Sequence, residues 1–430
     1  MTTSLDQPRV IAKIVRRLIP LLCLLFFINY LDRTNIAMAK LKMLGDIHMY
    51  EGSYGLGAGL FFVGYFLFEV PSNLILHRVG ARRWIARIMI SWGIISMAMA
   101  LVRGPWSFYA LRTLLGIAEA GFFPGVVLYL TYWIPVRHRA RILAAFLTAT
   151  AVSGAVGNPL AGQLMKLEGM GHLHGWQWLF IVEGIPSVLM GFAVLVFPLL
   201  PDRPAVASWL SGEQARWLEG ELAADGQHPG VNHIADLRSA VRDPRLTLLS
   251  IIYFLLIMGL YGFIYWLPTI VQTLTHASVQ RVGALSSIPC GIAAIVMVLI
   301  GAHADGAGQR RFYVAACAII GAIGLIAVAR ATAPAAGITS LTVAAIGIFG
   351  SLGPFWTIPT RYLRGPAAAA GIAVINSAGA LAGFVAPTAI GWALSKRGNV
   401  SAGLLLVAAS LTLAAALVLL VPATTDSRHE

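Results

Sequence analysis

The feature that most constrains this chain is a succession of long apolar stretches separated by short polar ones. A helix must run for about 20 mostly apolar residues to cross a hydrocarbon core of about 30 Å. Such runs occur near residues 17–39, 53–76, 84–102, 106–131, 141–165 and 176–200, and again near 246–272, 282–303, 312–330, 337–360, 367–394 and 401–422. They predict an all-α integral membrane fold with twelve transmembrane helices, spans 1 to 12. Helices are the expected element because lipid offers no partner to a backbone N–H or C=O left open. The polar stretch 201–245 divides the twelve into a six-helix bundle over 1–200, a linker over 201–245, and a second six-helix bundle with a short tail over 246–430. Within the linker, Ser211 followed by Gln214 has the pattern of a capping box opening an amphipathic helix over 211–222.

Composition agrees with the pattern. Of the 430 residues 58% are hydrophobic and 11% charged, with a mean hydropathy of +0.78; soluble domains have roughly 45–50% and about 25%. A water-soluble fold, a disordered chain and a fibre are excluded. Cys23, Cys290 and Cys317 all fall in apolar runs, so neither a disulfide framework nor a zinc site is expected. The net charge of +13 is distributed as short clusters between spans, which reads as a topology signal and not as a nucleic-acid surface.

Lys and Arg concentrate on the loops that share a side with both termini. The opposite loops carry Lys40, Lys42, Arg103, Lys166, Arg281, Arg330, Lys396 and Arg397. The bias places both termini in the cytoplasm. The halves also echo each other. Gly/Arg turns follow span 2 (Gly80, Arg82, Arg83) and span 8 (Gly301, Gly308, Arg310, Arg311). Gly/Pro seams run along span 5 (Gly154, Gly157, Pro159, Gly162) and span 11 (Gly379, Gly383, Pro387, Gly391). Small residues one turn apart let helix backbones approach closely in lipid, and repeated halves facing a central site are a transporter plan.

Five separated segments carry a family resemblance: Asn29-Tyr30-Leu31-Asp32-Arg33-Thr34-Asn35, Phe68-Glu69-Val70-Pro71-Ser72-Asn73-Leu74, Arg112 through Gly121, Trp178 through Pro186, and Ala368 through Ser377. On these the chain resembles the major facilitator superfamily, and within it the anion:cation symporters, a group that includes bacterial tartrate, galactonate and hydroxyphenylacetate permeases. The resemblance implies the major facilitator fold. It also implies Asp32 and Glu119 as proton-carrying sites, Arg33 as an anion ligand with Arg112 tuning Glu119, and substrate contacts at Trp356 and Asn376. The chain departs from the superfamily's loop after span 2, where Asn73 and His77 replace the usual Gly and Asp; the copy after span 8 keeps Gly301 and Asp305. Arg361 and Arg364 stand where smaller or neutral residues are the family's habit.

Ionisable side chains inside a span are expensive and are functional candidates by default. Here they are Asp32, Arg33, Arg112, Glu119 and Glu183, with Glu69 nearer the end of span 2. Asp32 and Arg33 are adjacent and point about 100° apart; Tyr30 and Asn29 share the Arg33 face. The bland reading is that Arg33 neutralises Asp32. Arg112 and Glu119, seven apart, lie on one helix face, and their bland reading is a buried intrahelical pair. Tyr65, Tyr261, Tyr265, Trp356 and Asn376 are the expected cavity lining. For Tyr65, Tyr261 and Tyr265 ordinary helix packing is the even alternative. Arg78, Gly80, Arg82, Arg83, Asp305 and Arg310 are expected to gate from the loops. Trp106 and Trp176 read as interfacial anchors, and His172 and His174 as a solvated loop.

The expected function is secondary active transport: proton-coupled uptake of a small organic anion by alternating access. An exchanger and a sodium-coupled carrier are the alternatives within transport; a nutrient sensor on a transporter fold is the alternative from another class. A sugar acid, a hydroxy-dicarboxylate such as tartrate and an aromatic carboxylate all fit one intramembrane Arg with aromatic neighbours. A second carboxylate would need Arg112 in the cavity. No cofactor, metal, nucleic acid or catalytic residue is expected. The coupling ion is H+, with Na+ as the alternative, and the partners are the substrate anion and the lipid bilayer. The expected setting is the inner (plasma) membrane, as a monomer.

Overall fold

The structure, a computed structural model, describes residues 6–224, 243–307, 309–359, 366–398 and 400–422. No strand occurs among them. The first half contains α1 (Gln7–Thr34), α2 (Ile36–Asp46), α3 (Glu51–Val79), α4 (Ala81–Ala98), α5 (Pro105–Glu119), α6 (Phe122–Thr131), α7 (Val136–Leu164) and α8 (Gly175–Val196). A short helix, α9 (Gly212–Ala224), follows in the linker. The second half contains α10 (Pro244–Thr275), α11 (Val279–Ala307), α12 (Arg310–Arg330), α13 (Pro334–Trp356), α14 (Pro366–Arg397) and α15 (Ser401–Leu419). Ten spans among the described residues are long and apolar enough to cross a membrane. The two remaining long predicted runs, spans 1 and 5, also fold as helices, within α1–α2 and α7; α1 carries Arg16, Arg17, Asp32 and Arg33 within its apolar run.

Two predicted spans are interrupted. Span 1 breaks at Asn35, where Thr34 has turned its hydroxyl back to the Tyr30 carbonyl (2.8 Å). Span 4 breaks at Ala120-Gly121, directly after Glu119. Gly121 has φ +86°, a left-handed conformation that L-residues avoid, and a Cβ there would collide with the Ser72 side chain on α3. The break thus combines a backbone demand with a packing demand, and both require glycine.

Within the first half α4 packs along α8, α3 along α5 and α1 along α7; within the second, α12 lies against α13 and α15, and α10 against α14 and α15. Between the halves, α3 meets α14 and α7 meets α11. The tightest of these approaches lie toward the face away from the termini, called here the far face. A Cβ at Gly55 would run into the Pro387 carbonyl, and one at Gly283 into the Asn158 carbonyl. The Gly/Pro seams are therefore where the two halves touch.

The linker helix carries its capping box: Gln214 N–H donates to Ser211 Oγ (3.2 Å) and Ser211 N–H to Gln214 Oε1 (3.2 Å). Trp209, just before it, stacks on Trp133 at 5.4 Å, which fastens the linker to the end of α6.

Candidate functional site

Between the halves lies a cavity of about 80 Å3. Its walls are α1 (Tyr30, Arg33), α3 (Phe62, Tyr65), α10 (Tyr253, Tyr261), the end of α13 (Trp356) and α14 (Asn376). Tyr30, Arg33, Tyr65, Tyr261, Trp356 and Asn376 thus stand around one cavity. Asn29 is buried (1% exposed) but is outside the lining, as is Tyr265.

Among the described residues, Arg33 is the one Lys or Arg that lines the cavity. Its guanidinium donates to Glu119 on α5 and to the Tyr261 hydroxyl (3.1 Å) on α10, so one side chain joins the two halves. The rings of Phe61 and Tyr65 lie 5.2 and 5.3 Å from its carbon centre. Aromatic faces and a carboxylate surround a charge that would be costly alone in the interior. Two bland alternatives do not describe this arrangement. Arg33 does not neutralise Asp32, and Arg112 does not pair with Glu119. Adjacent residues on a helix face different neighbours, and the fold brings Glu119 to Arg33 from another helix.

Arg112 instead donates to the Tyr265 hydroxyl (3.4 Å), which itself donates to the Arg33 carbonyl (3.3 Å). It stands 4.9 Å from the Phe61 ring centre and does not line the cavity. Asp32 points the other way, into the first half. Its carboxylate accepts from Trp92 Nε1 (2.7 Å), Ser96 Oγ (2.9 Å) and Ser187 Oγ (2.6 Å), with Glu183 and Asn35 close by. Trp92 and Ser96 are four apart on α4 and so share a face; a polar pair at that spacing in an apolar span was the available signal for this pocket.

Glu69 is the neighbour that span hydropathy does not interpret. It sits four residues after Tyr65 on the same face of α3, is 5% exposed, and accepts from Asn376 Nδ2 at 2.5 Å. That bond links α3 to α14 at the cavity end nearer the termini. Lys40 does the equivalent at the far end. It is not a loop charge: it is 3% exposed, and its Nζ lies 2.6 Å from Glu51, 2.9 Å from Thr269 Oγ1 and 3.7 Å from the Trp266 ring centre. Trp176 is likewise not an interfacial anchor; it is 1% exposed and donates to Asp46 (2.8 Å), whereas Trp106 is 84% exposed.

The loop arginines hold helix ends. Gly80 has φ +95°, and Arg82 after it donates from its backbone to Asp202 Oδ1 (3.0 Å) and from its side chain to the carbonyls of Val194 (3.3 Å) and Leu195 (2.6 Å), at the end of α8. In the second half Arg311 donates to the Val421 carbonyl (3.0 Å) just past α15, and Arg310 to the Thr357 carbonyl (3.4 Å). The arginine after span 2 caps span 6, as the arginine after span 8 caps span 12. Asp202 was absent from the expected set. Arg78 and Arg83 are exposed. The Asp305 side chain, Arg361 and Arg364 lie outside the described residues. On the far face, His174 Nδ1 is 2.8 Å from Glu168 and 3.5 Å from Asp46, and no group of three or more His, Cys, Asp or Glu suited to a metal ion occurs among the described residues.

Two helical halves closed around a charged, aromatic cavity are the plan of a multi-pass membrane transporter. Residues 22–387 match the Major Facilitator Superfamily model. The chain is 45% identical over 419 residues to an Agrobacterium vitis protein named "Putative tartrate transporter", covering 97% of this chain and 96% of that one. It is 43% identical over 395 residues to the "Quinolone resistance transporter" of Acinetobacter baumannii, covering 92% and 91%. A bacterial homologue of the human lysosomal transporter Spinster, in an inward-facing and occupied conformation, superposes with a TM-score of 0.74 at 18% identity over 94% of this chain and 96% of that one. The chain belongs to the major facilitator superfamily.

Proposed function

We propose that the protein is a proton-coupled importer of a small organic anion, working by alternating access. The observation that carries this reading is the ion pair that Arg33, on the cavity wall, makes with Glu119, which is buried outside the lining. While Glu119 holds Arg33, the guanidinium is neutralised and an incoming carboxylate gains little from it. A proton on Glu119 releases the fork, which can then grip the substrate through two parallel hydrogen bonds. Anion and proton therefore load together as an electrically balanced pair. Tyr261, which shares the same guanidinium from the second half, ties that loading to the interface that must open and close. Tartrate, named for one relative, is a carboxylate, which supports the anion class. Asp32, set in its own pocket of neutral donors, is a second proton site acting within the first half.

The Lys/Arg bias supports an inner-membrane protein with both termini cytoplasmic. In that orientation the tight far-face contacts close the outside. The coupling ion is H+, no cofactor takes part, and one chain completes the cavity as a monomer. Uptake of radiolabelled organic acids into proteoliposomes, with and without an inward proton gradient, tests the reading. Accumulation that a protonophore abolishes is expected. Counterflow with no response to either a proton or a sodium gradient would replace it with the exchanger, and sodium-driven accumulation would replace the coupling ion.

A further inference from the structure

Two carboxyls share the pocket on the Asp32 side of α1, and its donors are divided unequally between them. Asp32 receives Trp92, Ser96 and Ser187. Glu183 receives none: it is 4% exposed, and both its oxygens are buried without a hydrogen-bond partner. Its place follows from helix geometry. Ser187 and Glu183 are one turn apart on α8, and Asp32 and Asn35 are three residues apart across the end of α1, so each pair shares a face. Spans 1 and 6 cross the membrane in opposite directions. The Ser187–Asp32 bond therefore sets Glu183 opposite Asn35, one turn nearer the far face, and the Asn35 amide does act on Glu183. Asn35 is equally unsatisfied. An Asn before a helix commonly caps it with its side chain. Here the Asn35 backbone is itself helical (φ −55°, ψ −30°), no such bond forms, and both Oδ1 and Nδ2 are buried without a partner.

Four open polar atoms thus face one another: two carboxyl oxygens, an amide oxygen and an amide nitrogen. An ionised Glu183 could accept one Asn35 N–H. It would still hold its second oxygen against Asn35 Oδ1 and its charge against Asp32, in an interior where an unpaired charge is expensive. Among the described residues no Lys, Arg or His forms an ion pair with either carboxyl. A protonated carboxyl has one O–H to give and one carbonyl oxygen to accept, which is the complement of an amide.

We propose that Glu183 is a resident carboxylic acid, joined to the Asn35 amide by a ring of two hydrogen bonds, O–H to Oδ1 and Nδ2–H to the acid carbonyl. Glu183 is then a positioning residue. It ties the break after α1 to α8, and so holds the end of α1 that carries Asp32 and Arg33. Asp32 is left as the one carboxyl of the pocket that changes charge. The ring stands whether or not the protein carries protons; where it does, this pocket's share of the load is confined to Asp32.

The test is infrared spectroscopy of the purified full-length protein at about pH 8, well above the ordinary glutamate value of about 4.3. The spectrum of the wild type minus that of Glu183→Gln should contain one carboxylic-acid carbonyl band, displaced in D2O. In Asn35→Ala, which removes the partner, that band should move to higher frequency. The proposal fails if the subtraction yields carboxylate bands in place of the acid band; carboxylate bands that respond to added sodium would make the same open atoms a cation site. It also fails if Asn35→Ala leaves the acid band where it was. Melting adds a second readout of the ring. Glu183→Gln can restore both bonds, amide to amide, and should melt near the wild type, whereas Glu183→Ala strands the Asn35 amide and should lose several degrees. Equal melting of the Gln and Ala variants would overturn the pairing. If Glu183→Gln does not fold, the wild type minus Asn35→Ala decides alone: a displaced acid band is expected, and its absence overturns the proposal.

Discussion

Lys40 on α2 reaches across the boundary between the halves and places its ammonium 3.7 Å from the ring centre of Trp266 on α10. The Tyr54 ring, 4.8 Å away, and the Glu51 carboxylate, 2.6 Å away, complete the enclosure from the first half. A desolvated cation–π contact contributes about 2 kcal/mol, and this one exists only while the far face is shut. Lys40→Met should therefore move the conformational balance toward far-face opening by roughly thirtyfold. A thiol probe on a cysteine placed in α14 near Gly391 would read this as faster labelling from the far face. Unchanged labelling would show that the glycine contacts alone hold that face closed.

The break in span 4 gives a stability prediction. Gly121→Ala imposes a left-handed conformation on an L-residue, about 1–2 kcal/mol, and adds the clash with Ser72. Thermal unfolding in detergent should show a clear fall in Tm. An unchanged Tm would mean that α5 and α6 can run on as one helix, which would also displace Glu119 from Arg33.

The number and order of the spans were legible because a membrane imposes a length and a composition on each helix. The charged candidates were legible because an ionisable group in an apolar run stands out. Partners were not. Glu119 and Arg112 share a helix face, yet it is Arg33, from α1, that holds Glu119. Spacing along one helix cannot say which neighbouring helix supplies a counter-charge. Lys40 was misread for a related reason: α1 and α2 together extend well beyond one bilayer-crossing length, so a residue near the predicted end of span 1 lies inside the protein. Glu69 was visible as an intramembrane charge, but its meaning depends on Asn376, more than three hundred positions later.

The far-face loop supplies a pH dependence. Glu168 is held below the usual carboxylate range, first by the Gly175 backbone N–H (2.7 Å) and then by His174. His174 is held above the usual imidazole value, chiefly by its hydrogen bond to Glu168. A raised histidine contributes stability below its ordinary value, about 6.5, and loses it as pH climbs through the raised one. A depressed glutamate contributes above its ordinary value, about 4.3, and loses it as pH falls through the depressed one. The contact is fully present between those two ordinary values and weakens on either side. NMR titration of His174 should give a midpoint above the ordinary value, and Glu168→Gln should lower it. A midpoint that ignores Glu168 would show that Asp46 is the partner that counts.

Asp32 offers a way to separate folding from coupling. Its Oδ2 accepts from Trp92 and Ser187 and its Oδ1 from Ser96. Asp32→Asn can keep the first two through its amide oxygen, and the Ser96 hydroxyl can rotate to accept from the new amide. Asp32→Ala strands three buried donors, each worth about 1–3 kcal/mol when left unmade. The Asn variant should therefore express and melt close to the wild type, while the Ala variant should be destabilised by several degrees or fail to accumulate. If Asp32 carries a transported proton, the Asn variant should still exchange substrate across a membrane but not concentrate it under a proton gradient. Gradient-driven accumulation by a stably folded Asn variant would confine Asp32 to holding α1, α4 and α8 together, and would leave Glu119 as the coupling carboxyl.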